Sequence, residues 1–362
     1  MKSVKDFEVK NKRILVRCDF NVPLSDTGEI LDDAKIQEAL PTLQYLIEHK
    51  AKIIILTHLG EPAASPDGEA SLAPLKGREG VIVPALKLDA IRDRIEKLLD
   101  VHIMKSFDCV GRDVENQASR LKGGEILLLE NVRFHKEETE NKPDFARKLS
   151  LLGDIYINEA FDVCHRNHAS VAGIPAFLPH GAGFALQKEV KVLAKIMAHP
   201  ARPMVAIIGG AKAATKAMFI EPFCAFADLV IINGLIKQEL VAKKISLKYP
   251  EKVFGPKDNL GGLDIGAQDI KKMTEKIANA KAIFWNGPFG KFEEKKYAEG
   301  TRAIANAIIE SKAFSVVGGG ETLEFLKNEG ILDKFSHVST AGGAMLEFLS
   351  GQPLPGLVAL DK

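Results

Sequence analysis

Met204-Val-Ala-Ile-Ile208 runs straight into Gly209-Gly210, and Lys212 and Lys216 follow, four residues apart. An apolar, partly β-branched run of this length reads as a buried strand, and the glycine pair breaks it into a turn. The lysines fall in a stretch that reads as the start of a helix. A buried strand, a glycine turn and a helix N-terminus make a phosphate cradle. The glycines let the backbone come close, the free N–H groups point outward, and the lysines add full charges. The spacing and the residue after the lysine differ from those of a P-loop. Taken alone, the stretch also fits an ordinary strand–turn–helix with two solvated lysines.

The first half of the chain repeats one design. Arg13-Ile-Leu-Val-Arg17 is a short strand pattern that ends in Asp19 and Asn21. Asp32 or Asp33 can cap the next helix, whose apolar positions are Ile36, Leu40, Leu43 and Leu46. Lys52-Ile-Ile-Ile-Leu56 is a second strand with Thr57-His58 at its tip, residues 61–85 read as a long loop, and residues 86–99 as an amphipathic helix. A third strand ends in Glu130 and Asn131 with Arg133 and His135 behind, and a fourth, from Asp154, leads to His165, Arg166 and His168. Alternating strands and helices argue for parallel sheets, which gather ligand contacts at the C-terminal ends of their strands. Four such ends bearing Asp19/Asn21, His58, Arg133 and His165/Arg166/His168 describe a basic, anion-binding crevice. His165 and His168 have no partners at helpful metal-ligand spacing apart from Cys164.

Residues 183–197 form one helical pattern, closed by Pro200 and Pro203, that separates the basic cluster from the glycine-rich half. It reads as an interdomain helix (183–200) between an N-terminal domain (1–182) and a C-terminal domain (201–344). Leu229-Val-Ile-Ile-Asn-Gly234 is another strand and turn, whereas residues 240–262 are lysine-rich, lack a period and receive no assignment. Ala282-Ile-Phe-Trp-Asn286 is a strand followed by the turn Gly287-Pro288, and residues 300–311 read as a helix. Phe314-Ser-Val-Val-Gly-Gly-Gly-Glu-Thr322 and His337-Val-Ser-Thr-Ala-Gly-Gly-Ala344 are second and third glycine cradles. Three cradles in one domain suggest a bound polyphosphate, with a small anion on the other domain.

Composition agrees with this. A chain of 362 residues suits two domains, and a net charge of +1 gives no reason to expect nucleic acid or a membrane surface. Cys18, Cys109, Cys164 and Cys224 are scattered and read as buried, reduced thiols of a cytoplasmic protein. The N-terminus lacks the apolar core of a signal peptide, and no apolar run approaches membrane-spanning length.

Several runs together resemble phosphoglycerate kinases over nearly the whole chain. They are Arg17-Cys-Asp-Phe-Asn-Val-Pro23, His58-Leu-Gly60, Leu129-Glu-Asn-Val-Arg-Phe-His135, His165-Arg-Asn-His-Ala-Ser170, Gly209-Gly-Ala-Lys212, Trp285-Asn-Gly-Pro288, Gly318-Gly-Gly320 and Gly342-Gly-Ala-Met-Leu-Glu347. The resemblance implies two doubly wound α/β domains facing a cleft, with a tail (345–362) packed back on the first. It implies a monomeric, cytoplasmic enzyme of glycolysis, a phosphotransferase with a carboxyl acceptor. Such an enzyme moves a phosphoryl group between ATP/ADP, carried with Mg2+, and 3-phosphoglycerate/1,3-bisphosphoglycerate. By resemblance, Asp19, Asn21, His58, Arg133 and Arg166 hold the phosphoglycerate. Lys212 and Lys216 reach the nucleotide phosphates, and Asn286 and Glu293 touch nucleotide, Glu293 at the ribose. Gly318, Gly319, Gly320 and Thr322 lie near the transferred group. Lys35, Lys212, Gly319 and Gly320 take the catalytic positions, and Glu321 serves magnesium through the nucleotide.

The chain departs from the family pattern at several of these places. Lys35 and Glu61 stand where the family has arginine, Thr215 and Glu321 where it has aspartate, and Ala341 where it has glycine. The adenine-binding glycine run beyond Gly234 and a later strand and helix are missing. Arg78, in the 61–85 loop, is a candidate to compensate. The departures leave a second reading: an impaired or repurposed paralogue that binds an anionic metabolite or a protein partner.

Overall fold

The computed structural model describes residues 1–62, 73–74 and 81–361. The chain divides into two units, Met1–Val190 with Pro353–Lys362, and Lys191–Gln352. The division falls within one helix, Phe184–Ala198.

The first unit is built on a six-stranded parallel sheet. Its strands are β1 (Arg13–Arg17), β2 (Lys52–Leu56), β3 (Ile103–Lys105), β4 (Ile126–Leu128), β5 (Ile155–Asn158) and β6 (His180–Ala182), in spatial order β3-β4-β2-β1-β5-β6. The central strands are apolar along their length because helices cover both faces of the sheet. Ile14, Val16, Ile53, Ile55, Leu128 and Ile157 belong to one core with Ile36, Leu43 and Leu46 of helix Ala34–Glu48. Of the two cap candidates, Asp32 bonds the backbone N–H of Ala34 at 2.9 Å. Asp33 is the cap residue by position, but its carboxylate serves Gln37 and Arg94. The amphipathic helix expected over 86–99 starts later, at Asp89, after a single 3-10 turn at Pro84–Leu86. Most of the 61–85 loop, Arg78 included, lies outside the described residues.

The second sheet also has six parallel strands: β7 (Met204–Ile208), β8 (Leu229–Ile232), β9 (Val253–Phe254), β10 (Ala282–Asn286), β11 (Phe314–Gly318) and β12 (His337–Ser339), in spatial order β9-β8-β7-β10-β11-β12. This is the doubly wound arrangement, in which the chain runs outward from β7 on one side and from β10 on the other. Trp285, Ile207, Val317, Ile283 and Phe325 share its core. Residues 240–262, unassigned from the sequence, hold the end of helix Gly234–Ala242, β9 and a 3-10 turn at Leu260–Gly262. The last helix, Pro355–Leu360, belongs to the first unit, where Gly356 N–H bonds Cys164 O at 2.9 Å. Helix Gly342–Leu349 stays with the second unit. Among the described residues no helix is long and apolar enough to cross a membrane.

Candidate functional site

Each sheet has a place where successive connections diverge, and there the strand ends open a crevice. In the first unit this place lies between β1 and β5. Asp19 and Asn21 follow β1, His58 follows β2, Arg133 follows β4, and His165, Arg166 and His168 follow β5. Lys35 reaches in from the first turn of its helix. Its Nζ lies 2.7 Å from Asp162 Oδ2 and also donates to Asp19 Oδ2. Asn21 Oδ1 accepts from Gly60 N at 2.8 Å, which fixes the turn after His58, and Gly60 itself has φ +63°. Arg133 Nη1 donates to Gly60 O at 3.0 Å and to the Glu61 carboxylate. Arg166 is exposed and forms no salt bridge among the described residues.

The charges here are unusual because the groups are buried. His58 is held well below the ordinary histidine value, first by burial and then by Arg17, so it is a neutral imidazole at pH 7. Arg17 is fully buried at the end of β1, with Nη2 3.2 Å from His58 Nδ1 and Nε bonded to Ser170 Oγ at 2.8 Å. His165 and His168 are both lowered to about 4, by burial first and then by neighbouring arginines. They are therefore neutral hydrogen-bonding groups. Arg133 Nε, His165 Nδ1 and His168 Nδ1 are buried without hydrogen-bond partners among the described residues. Buried polar groups are nearly always paired, so three unpaired ones in one crevice point to a bound ligand.

Sequence reasoning passed over Arg17 as a site residue. An arginine inside an otherwise apolar strand end was the available signal, because a buried guanidinium needs organised acceptors. Asp162 and Glu138 were also passed over; Glu138 is fully buried and accepts from Ser170 N and Oγ at 2.8 and 2.6 Å. His135 is taken up elsewhere, with Nε2 2.6 Å from Asp108 Oδ1.

In the second unit the divergence lies between β7 and β10, and two glycine turns meet there. Gly210 N–H bonds Pro288 O at 2.6 Å, and Gly287 N–H bonds Thr322 Oγ1 at 2.8 Å. A Cβ on Gly209 would run into Pro288 O, and one on Gly287 would run into Gly209 O. Gly210, Gly287 and Gly319 have φ of +94°, +95° and +98°, which side chains resist. The helix expected after Lys212 begins with the turn Ala213–Lys216, tightens into a 3-10 turn at Ala217–Phe219 and continues as helix Ile220–Phe226. The lysines add full positive charges beside its N-terminus.

Lys212 is exposed, whereas Lys216 folds inward with Nζ 2.6 Å from Gly209 O. Burial lowers Lys216 to about 8; Glu321 opposes the shift and Lys212 adds to it. Asn286 is 2% exposed and its Nδ2 is buried without a partner, facing Gly319. Gly318 ends β11, Gly319 caps helix Gly320–Asn328, and Glu321 and Thr322 lie in its first turn. Beside the turns is a cavity of about 290 Å³ lined by Gly210, Asn233, Leu263, Pro288, Phe292 and Glu293, among others. Gly262, the last residue of the stretch that carried no periodic signal, also lines it. For a magnesium ion carried by a polyphosphate, the exposed Glu321 carboxylate is a fitting hard oxygen donor. Such an ion takes one or two carboxylates plus phosphate and water.

Comparison with known proteins agrees across the chain. The sequence profile described as phosphoglycerate kinase matches residues 4–248 and 239–352. The Moorella thermoacetica protein named phosphoglycerate kinase is 38% identical over 405 residues, covering 99% of this chain and 99% of that protein. That alignment is longer than the 362 residues here, so this chain lacks segments that the relative has. Chloroplastic phosphoglycerate kinase 1 of Arabidopsis thaliana is 38% identical, covering 100% of this chain and 82% of its own length. The crystal structure of phosphoglycerate kinase from Pyrococcus horikoshii OT3 superposes with a TM-score of 0.84 at 30% identity, covering 100% of this chain and 98% of that one. On these grounds this chain belongs to the phosphoglycerate kinase family.

Proposed function

We propose that this protein transfers a phosphoryl group between ATP/ADP and 3-phosphoglycerate/1,3-bisphosphoglycerate, as a glycolytic kinase. The observation that carries this reading is the set of buried, unpaired hydrogen-bonding atoms at both crevices. In the first unit they are Arg133 Nε, His165 Nδ1 and His168 Nδ1, and in the second Asn286 Nδ2. Two sites of this kind in one chain suit two anionic ligands. The first unit would hold the phosphoglycerate through Asp19, Asn21, His58, Arg133 and Arg166. The second would hold the nucleotide, with Lys212 and Lys216 at its phosphates and Asn286, Glu293, Gly318 and Thr322 around it.

Phosphoryl transfer asks little covalent chemistry of a protein and much positioning and charge neutralisation. Gly319 and Gly320 would offer backbone N–H groups where the transferring oxygens gather, and Lys35 and Lys212 would offset their charge. Magnesium, held through the nucleotide by Glu321, would neutralise phosphate charge when bound. We take the protein to be a cytoplasmic monomer that needs neither nucleic acid nor a membrane.

The alternative of a repurposed paralogue rests on the shortened adenine region and on the residues at 35 and 61. Both residues are accommodated in ion pairs, and neither removes the unpaired donors. The test is ATP-dependent phosphorylation of 3-phosphoglycerate, coupled to reductive consumption of the product by a dehydrogenase. Turnover that depends on both substrates and on magnesium is expected. No turnover with both substrates in excess would overturn the kinase reading.

A further inference from the structure

The Arg133 guanidinium already has an anion on it. Nη1 donates to Gly60 O at 3.0 Å and to the carboxylate of Glu61, the next residue along. The two partners differ sharply in exposure: the Arg133 side chain is 5% exposed and the Glu61 side chain 56%. The backbone beneath them is fixed, because Gly60 N–H is held by Asn21 Oδ1 at 2.8 Å. Glu61 is thus the one part of this arrangement that can swing into water without disturbing the fold. A second observation is independent of the ion pair. Arg133 Nε is buried without a partner among the described residues, so Glu61 and Gly60, both on Nη1, leave part of the guanidinium unsatisfied. A larger anion with several oxygens would span two neighbouring nitrogens of the guanidinium as a forked pair, which the single Glu61 contact at Nη1 does not do.

We propose that Glu61 is a built-in competitor for the anion site at Arg133. Without substrate it closes the guanidinium, and an anionic group of the substrate must exchange for it. This rests on the kinase reading for the identity of the substrate. A tethered carboxylate competes at a high effective concentration. The observed affinity is the intrinsic affinity reduced by the fraction of molecules in which Arg133 is open. Glu61 therefore sets KM.

The experiment compares the full-length protein with its Glu61→Gln variant, which keeps the side chain's shape and removes its charge at an exposed position. Calorimetry with 3-phosphoglycerate and with inorganic phosphate gives affinities, and the coupled assay gives KM and kcat. Tightening of roughly two- to fivefold is expected, the size of a part-exposed ion pair, and it should fall on KM rather than on kcat. Glu61 could also act by simple repulsion of the ligand, so the same substitution is made in an Arg133→Gln background. Competition predicts that the gain vanishes there; a gain of the same size in that background overturns the proposal. A crystal structure with 3-phosphoglycerate bound gives a readout that does not depend on the folding of the double variant. Arg133 should have left Glu61 for the ligand, and an intact Glu61–Arg133 pair beside bound ligand overturns the proposal. If turnover is normal and Glu61→Gln leaves KM unchanged, the competitor fails and the kinase reading survives. If no variant turns over but Glu61→Gln binds inorganic phosphate more tightly, the kinase reading fails and the competitor stands.

Discussion

Lys35 Nζ lies 2.7 Å from Asp162 Oδ2 and donates at the same time to Asp19. The two carboxylates follow β1 and β5, the strands on either side of the divergence in the first sheet, so one ammonium ties both strand ends together. Their side chains are 6% and 11% exposed, and water does little to relieve them if the cation is lost. Lys35→Met should therefore lower stability by about 1–3 kcal/mol, because two carboxylates are left facing one another. Lys35→Arg should keep the tie and, with its planar fork, bind 3-phosphoglycerate at least as tightly. Urea unfolding of both variants checks this, and an unchanged midpoint in Lys35→Met would contradict it.

Nucleotide binding should depend on Lys212 and Lys216. Each charge-assisted phosphate contact removed by Lys212→Ala or Lys216→Ala should cost roughly 1–3 kcal/mol of ATP affinity. Calorimetry that finds ATP affinity unchanged in both variants would remove the lysine cradle from the site.

The two lysines should differ in pH response. Burial lowers Lys216 to about 8, so it loses its proton in a range where an exposed lysine keeps it. ATP affinity of the free protein should fall as pH rises from 7 to 9, and Lys216→Arg, charged throughout, should flatten that fall. For stability the sign is the reverse. The unfolded chain holds this proton up to about 10.4. Between the two values the unfolded state binds more protons, and the Lys216 contribution to stability rises with pH. A wild-type ATP affinity that does not change from pH 7 to 9 would show that Lys216 stays charged.

Glu159 gives a pH effect away from the ligands. It is buried, accepts from Thr42 Oγ1 and Ala185 N at 2.9 Å each, and leaves Oε2 without a partner. Burial raises it to about 8, against those two hydrogen bonds. A carboxyl raised in the fold contributes stability that is complete below its unfolded value of about 4.3 and is lost as pH rises through the folded value. Glu159→Gln should remove that dependence. Relative to wild type, the variant should gain stability steadily from pH 5 to 8, by a few kcal/mol. Parallel thermal-stability curves for the two proteins across that range would refute the assignment.

Thr322 supports the second glycine turn through one bond, in which Oγ1 accepts from Gly287 N at 2.8 Å. Thr322→Val keeps the shape and removes the acceptor, leaving a buried N–H unpaired at a cost of about 1–3 kcal/mol. Stability and ATP affinity should fall together in this variant. A loss of stability with ATP affinity intact would separate the turn from the nucleotide site.

What could be read from the sequence follows from what is local. Asp19, His58, Arg133 and Arg166 stood out because each follows an apolar run that can only be a buried strand. Gly209-Gly210 stood out because two further glycine turns, at Gly318-Gly319-Gly320 and Gly342-Gly343, end strands in the same half of the chain. The partner of Glu61 could not be found this way, because Arg133 lies 72 residues further on and only the fold brings them together. Residues 240–262 gave no period because their structure is fixed from outside. Lys237 Nζ bonds Pro256 O, Lys252 Nζ bonds Cys224 O, and the Asp269 carboxylate accepts from Lys257 N and Asp258 N. Bonds of this kind leave no apolar rhythm. The later start of the helix at Asp89 has a similar cause: the Glu130 carboxylate accepts from Leu88 N at 3.1 Å, a long-range anchor at its entrance.

The Gly209 and Gly287 turns lie backbone against backbone, with the Lys216 ammonium at their edge. The gap from the lysine side of the cradle to the Asn286 side is consequently set first by the approach of two backbones. Mutation can retune a pocket by lengthening or shortening the side chains that line it. Here the contact itself is between backbones, and the two turns act as a fixed calliper for whatever sits across them. Residues such as Lys35 and Glu61, which meet their partners through flexible side chains, can drift and be compensated. The calliper cannot drift by small steps, so changes of ligand in a descendant of this protein would have to come from the cavity walls at Leu263, Phe292 and Glu293.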